Sequence, residues 1–216
     1  MDIRQFELLQ INDATFPIGS YTFSWGLETF VQQGIIHDRK SAFTYIKEEL
    51  CSSFLYTDLL ALRLAFNHED DEAYLLNLDE RYGASRVPFE IRSGSEKLSN
   101  RFIKTTQPFL KEDFLYKGKY YPITYGIYCA RKSMDLRDCL SSFLYSQTSA
   151  RITTAVKLVP LSQSDGQIIL HSLFELFDSL IERCLELDEE DFCLSCPGID
   201  IRSMQHEYLY TRLYSN

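Results

Sequence analysis

The stretch Asp38-Arg-Lys-Ser-Ala-Phe43-Thr-Tyr-Ile46-Lys-Glu-Glu-Leu50-Cys-Ser-Ser-Phe54-Leu55-Tyr-Thr-Asp58-Leu59-Leu-Ala-Leu62-Arg-Leu-Ala-Phe66 decides the fold. Phe43, Ile46, Leu50 and Phe54 recur every three or four residues and mark one stripe of a helix. Leu55, Leu59, Leu62 and Phe66 mark a second stripe beside it. A helix with one apolar stripe is satisfied by a single neighbour, whereas two adjacent stripes need packing on a broad face. The spacing therefore predicts a long helix at the centre of a bundle, with Asp38 as its N-cap. Asp58 interrupts the apolar run and reads first as a residue of the remaining solvated face, with a buried, paired role as the alternative.

The same period extends outward in both directions. Upstream, residues 3–11 form a short helix with Ile3, Phe6, Leu9 and Ile11 on one face. Downstream, residues 72–82 give a weaker helix with Tyr74, Leu75 and Leu78, and 83–87 a loop. Pro88 is placed at N1 of a helix running to Lys104, a mostly basic segment with Arg92, Lys97 and Arg101. Pro108 begins another short helix through Leu115, Lys117-Gly118-Lys119 turns, and Pro122 opens a helix to about Lys132. Asp135 caps a second long helix carrying Leu136, Leu140, Phe143, Leu144 and Gln147, which Pro160 ends. Residues 162–167 read as a turn. A third long helix over 168–185 uses Ile169, Leu173, Phe177, Leu180 and Ile181. The acidic run 186–191 is a solvated exit. From about 200 onward a short amphipathic tail carries Tyr208, Tyr210, Arg212 and Tyr214 and looks able to order on binding a partner. Strand-like alternation, repeats and low-complexity linkers are absent. The expectation is an all-α fold, a single-domain helical bundle over 1–216, with roughly eight to ten helices around two or three long central ones.

One stretch departs from this regularity: Asp13-Ala-Thr-Phe16-Pro17-Ile18-Gly19-Ser20-Tyr21-Thr-Phe23-Ser-Trp-Gly26-Leu27-Glu28. Pro17 and Gly19 bracket Ile18, so the backbone turns there before a helix near Thr22. Phe23, Leu27, Phe30 and Val31 then define its buried face. Gly26 falls inside that helix, where glycine costs about 1 kcal/mol against alanine, and close approach of another backbone is the usual compensation. Gly34 supplies the stop. A strained loop feeding a tightly packed short helix is a place for docking or for chemistry.

Composition narrows the choice. Of 216 residues, 31 are acidic and 22 basic, a net charge of −9, so the chain repels phosphate backbones and nucleic acid is a poor partner. It suits cations or a basic protein surface instead. No run approaches the length of a membrane span, and the charged N-terminus lacks the apolar core of a signal peptide. Six cysteines without such a leader imply a cytoplasmic protein with reduced thiols. The 14 tyrosines read as a core periphery with polar tips, and suit partner surfaces too.

Recognisable chemistry is mostly missing. No phosphate-binding P-loop, no His-Glu-x-x-His and no dinucleotide-binding glycine fingerprint occurs. With four histidines, nothing local supports a nucleophile–His arrangement. Cys193-Leu-Ser-Cys196, followed by His206, is an incomplete ligand set for a metal, because four ligands are wanted and no second pair accompanies it. Lys157 lies in the last turn before Pro160, where a cation also interacts favourably with the helix dipole. Gln163 and Gln167 lie four apart, on one helix face.

Beyond these generic features, Phe16-Pro17-Ile-Gly19-Ser20-Tyr21-Thr-Phe-Ser24-Trp-Gly26-Leu27-Glu28 closely resembles the N-terminal signature of the urease accessory protein family UreF. Glu90-x-Arg92, Asn100-Arg101-Phe-Ile-Lys-Thr, Tyr125-Gly126 and Val156-Lys157-Leu-Val-Pro160-Leu-Ser-Gln163 continue it, and His206-Glu207-x-x-x-x-Arg212-Leu213-Tyr214 ends it, all in the same order. Phe23 stands where some members carry a polar or histidine side chain, and Ser99 and Ser162 where glycine is frequent. The resemblance implies an all-helical homodimer that joins a UreH/UreD-type scaffold and recruits the GTPase UreG for nickel insertion into apo-urease. Such a protein is an adaptor without a catalytic site or a tightly bound cofactor. Ni²⁺ would be in transit through the complex, and GTP would be carried by the GTPase. Glu28, Lys157, Gln163, Leu213 and Tyr214 are then expected to meet partners, with Tyr21 and Arg212 paired through a guanidinium–tyrosine contact. Phe16, Pro17, Gly19, Gly26 and Pro160 would shape the motif, and no metal ligands are expected. Two alternatives stand beside this: a metal-dependent enzyme using Cys193, Cys196 and His206, and a helical interaction module for another partner.

Overall fold

The computed structural model describes residues 2–110, 116–194 and 196–215, with Tyr21 described by its backbone alone. Among these residues the chain is helical throughout, without a strand. Helices α1 (Ile3–Ile11) and α2 (Leu27–Gln32) flank the loop of the signature. Helix α3 (Arg39–Glu49) runs on through the π-helical turns Leu50–Leu59 into α4 (Leu60–Asn67), making one long rod. Then follow α5 (Glu72–Ser85), α6 (Phe89–Thr106), α7 (Tyr121–Arg131), α8 (Leu136–Leu158), α9 (Gln163–Ser172), α10 (Phe174–Glu186) and α11 (Pro197–His206).

Local chemistry starts the rod where the sequence predicts. The Asp38 carboxylate accepts from Ser41 N at 2.7 Å, while Ser41 Oγ accepts from the backbone N of Asp38 at 3.1 Å. A reciprocal cap of this kind is worth about 1 kcal/mol. Both predicted stripes face the core: Ile46, Leu50, Phe54, Leu55, Leu59 and Leu62 are all buried. The π turns span the point where one stripe gives way to the next, and neither proline nor glycine marks that segment. Helix α7 crosses α4 closely, because Gly126 leaves no side chain between it and the Leu62 carbonyl. Phe102 of α6 then lies 5.4–5.8 Å, centroid to centroid, from Tyr121, Tyr125 and Tyr128 of α7. These tyrosines, with Tyr82, are the centre of the core and not its periphery.

Several expectations are corrected by packing. Ile3, Phe6 and Leu9 face outward, and α1 instead buries Leu8 and Ile11. The predicted third long helix breaks at Leu173, whose N–H bonds to Leu170 O at 3.1 Å. Leu173 is fully buried at this corner; both halves pack on α8, while α9 also meets α3 and α10 the π-helical segment, a division that no proline or glycine announces. The predicted turn over 162–167 is mostly the first turn of α9, capped by Ser162, whose hydroxyl accepts from Asp165 N at 3.0 Å. Gly83 belongs to α5 and not to a loop, with the Tyr120 ring lying over it. Pro88 is the N-cap of α6, one position earlier than expected. Pro108 lies in the single 3₁₀ turn Gln107–Phe109, which ends at the extended Leu110; the remainder of the expected helix, residues 111–115, lies outside the described residues. Asp58 is drawn inward, accepting from Tyr82 Oη at 2.9 Å and pairing with Arg86. The tail helix α11 starts at Pro197 and ends at His206, earlier than the sequence suggests, and residues 207–215 follow as turns.

Candidate functional site

The loop before α2 is built from left-handed backbone. Gly19 and Gly26 have φ of 79° and 84°, and Trp25 between them adopts φ 52°. A side-chain-bearing residue there is strained by roughly 1–2 kcal/mol, and the Tyr45 hydroxyl holds it by donating to Trp25 O at 3.0 Å. Arg101 of α6 donates to Ile18 O at 3.0 Å and lies against Gly19. Phe16 enters the core 6.0 Å from Phe102, whereas Pro17 stays exposed. Gly26 is not inside the helix as expected; it is the residue that caps it. The expected close approach is nevertheless present. A Cβ on Gly26 would lie 2.6 Å from Ser203 Oγ of α11.

That contact brings the end of the chain onto the loop. Glu28, in the first turn of α2, is buried with 1% of its surface exposed. One carboxylate oxygen accepts from Leu213 N at 2.9 Å; the other accepts from Tyr214 N at 3.2 Å and faces His206 Nε2 at 3.0 Å. His206, with no exposed surface, turns its Nδ1 to Glu90 Oε2 at 2.6 Å. Arg212 donates to the other oxygen of Glu90 at 2.8 Å. Ionised carboxylates only accept, so the arrangement is fully matched when both imidazole nitrogens donate. Glu28 and Glu90 also suit their helix ends, since both sit in first turns. Two further bonds complete the clasp, Gln32 Nε2 to Thr211 O and Ser215 N to Thr22 O, both 2.8 Å.

Of the residues singled out from sequence, the clasp unites Glu28, Arg212, Leu213 and Tyr214. Glu28 presents nothing to solvent and holds the tail instead. Arg212 pairs with Glu90, while the side chain of Tyr21, its expected partner, lies outside the described residues. Lys157 and Gln163 are exposed at the corner between α8 and α9, with Pro160 exposed between them, and take no part in the clasp. Sequence reasoning passed over Glu90 as a site residue and took His206 only as a ligand of the alternative metal set. Their signal was their place in the collinear blocks Glu90-x-Arg92 and His206-Glu207. The alternative metal set is not assembled: His206 is occupied by two carboxylates and Cys193 Sγ faces Arg81 O at 3.6 Å. Among the described residues no group of three or more His, Cys, Asp or Glu is arranged to hold a metal ion. Nor is any described helix long and apolar enough to cross a membrane. Ser99 uses its hydroxyl, within 2.6 Å of Thr124 Oγ1, to tie α6 to α7.

Comparison with known proteins bears directly on these blocks. The UreF family model matches residues 36–174. The chain is 39% identical over 222 residues to the urease accessory protein UreF of Actinobacillus pleuropneumoniae serotype 5b (strain L20), with 96% of each chain covered. It is 36% identical over 219 residues to the urease accessory protein UreF of Haemophilus influenzae (strain PittEE), covering 96% of this chain and 93% of that one. The 96% of this chain that these alignments cover exceeds the stretch that the family model matches. The chain belongs to the UreF family of urease accessory proteins.

Proposed function

We propose that this protein is a non-catalytic adaptor of urease maturation. With a UreH/UreD-type scaffold it recruits and regulates the GTPase UreG, and the assembly delivers nickel into apo-urease in the cytoplasm. GTP belongs to the GTPase, and Ni²⁺ is cargo in transit. The observation that carries this reading is the clasp. It gathers the most separated blocks of the family signature at one place, and their joint product is a displayed surface with no reactive centre. Leu213 is 79% exposed, and Tyr208 and Tyr210 stand out almost entirely beside it. Exposed aromatic and apolar side chains on a tail fixed at its base suit a partner interface. Docking of a partner would complete the ordering of this tail.

A homodimer fits a second surface. Between α1, α8 and α10 runs a groove of about 780 Å³, walled by Leu9, Phe174 and Ile181 and floored by Ser142, Ser146 and Ser149. Small floor residues permit close helix approach, and the outward stripe of Ile3, Phe6 and Leu9 adjoins the groove. One two-fold contact would cover both.

The test is co-purification of the full chain with the scaffold and the GTPase, followed by size-exclusion chromatography. A ternary complex that needs this chain supports the reading. A GTPase that binds the scaffold equally well without it would sink the adaptor role.

A further inference from the structure

Beneath α11 lies a narrow cavity of about 40 Å³. Its walls come from the end of α3 and the π-helical segment, from α5 to α8 and from α11, and they carry Glu49, Asp58, Arg86, Arg151, Asp200 and Ser203. Two of the charges are closed off by a forked pair: Arg151 donates to the two oxygens of Glu49 at 2.6 and 2.9 Å. The same guanidinium stacks over Trp25 at 4.5 Å and Phe54 at 4.8 Å. Arg86 pairs with Asp58 and donates to Ser53 Oγ at 3.1 Å. Two polar atoms are left over. Arg86 Nε and Ser203 Oγ are buried atoms with no hydrogen-bond partner among the described residues, Ser203 being 3% exposed and the Arg86 side chain 11%.

We infer that this cavity is a built solvent site that takes two or three water molecules, bridging Arg86 Nε, Ser203 Oγ and the Asp200 carboxyl. A buried water needs roughly 10–15 Å³ of such space and two to four polar partners, and both conditions are met. An orphaned buried donor costs about 1–3 kcal/mol, which a bridging water removes. Charge selects the guest. Two guanidiniums in the wall oppose a cation, and three carboxylates oppose an anion. With charges of both signs in the wall, a neutral guest that both donates and accepts hydrogen bonds suits it best, and burial pushes the Asp200 carboxyl upward, against the pull of Arg86. The π turns that supply Ser53 and Asp58 agree with this, since such turns are found most often where the backbone is adapted to a site.

The consequence falls on α11. Its two fully buried residues, Ser203 and His206, are both polar. The tail helix therefore rests on a hydrated bed and on the clasp, with no buried apolar side chain of its own.

A crystal structure of the full chain at a resolution that places ordered solvent tests the inference, with a nickel chloride soak measured at the nickel absorption edge. Two or three waters are expected, one within bonding distance of both Arg86 Nε and Ser203 Oγ, and no nickel signal. An empty cavity, or nickel or chloride inside it, overturns the assignment. In solution, oxygen-17 relaxation dispersion of water counts long-lived internal molecules. Asp200→Leu, which removes a carboxyl and adds bulk at the rim, is expected to lose two or three of them with helicity unchanged. An unchanged count in a folded variant overturns the assignment.

Discussion

His206 Nε2 lies 3.0 Å from Glu28 Oε2, joining residues separated by 178 positions in a site closed to solvent. Glu28 is thus both the ion partner of α11 and the acceptor for the backbone of Leu213 and Tyr214. Removing it as Glu28→Ala leaves an imidazole and two N–H groups without their acceptor, and breaking such a buried pair costs about 3 kcal/mol. The tail should then be cleaved by trypsin at Arg212 well before the helical core. Circular dichroism should show the bundle still folded. Cleavage at the wild-type rate would mean that the clasp does not hold the tail.

Arg212→Ala should behave differently. Its side chain is 45% exposed and makes one bond to Glu90, so stability should change by no more than about 1 kcal/mol. The adaptor reading expects recovery of the GTPase in a pull-down with scaffold to fall strongly. Undiminished recovery would remove Arg212 from the partner surface. For Lys157→Ala, fold and tail are expected to stay intact while urease activation drops. Unchanged activation would leave Lys157 as a helix-dipole partner only.

Gly26 combines two constraints that can be separated. Its φ of 84° penalises any other residue by about 1–2 kcal/mol, and a Cβ also meets Ser203 Oγ. Gly26→Leu should unfold several degrees below the wild type. Gly26→Ala should lose less, and Gly26→Ala combined with Ser203→Gly should recover the steric part alone. A thermal midpoint for Gly26→Leu equal to that of the wild type would refute the close approach.

Alkaline pH should unfold this protein steeply. Burial raises the hydroxyls of Tyr82, Tyr121, Tyr125 and Tyr128 above their ordinary value of 10, and Tyr74 to about 12. A raised folded value means that the native state keeps a proton the unfolded chain gives up. The associated stability is complete below pH 10 and is lost as pH climbs through the folded values. Each of the four buried tyrosines, Tyr82, Tyr121, Tyr125 and Tyr128, contributes a slope of up to about 1.4 kcal/mol per pH unit above 10, and the part-exposed Tyr74 less. Urea midpoints measured at pH 9, 10 and 11 should be flat over the first step and fall sharply over the second. A flat profile throughout would place these hydroxyls in contact with solvent.

The long rod, its Asp38 cap, the second long helix and its end before Pro160 were legible because period and capping are local properties. So was the all-α class. The break at Leu173 was not, because beside their shared neighbour α8 the two halves meet different elements, α3 and the π-helical segment. The outward turn of Ile3, Phe6 and Leu9 was likewise invisible: a helical period identifies a stripe without saying whether anything covers it. For the clasp, the collinear blocks marked Glu28, Arg212, Leu213 and Tyr214 but could not say what joined them. Glu90 and His206 were the missing links, and nothing near either residue reveals a carboxylate more than a hundred positions away.

What the sequence determined by itself was therefore the set of helices, their caps, the family and the strained glycine turns, each fixed by a few neighbouring residues. Tertiary structure alone decided that Glu28 is buried, that Asp58 turns inward, and that the chain's end closes on its beginning. Those outcomes depend on desolvating charges, which is tolerable only where a partner from a distant segment arrives in register.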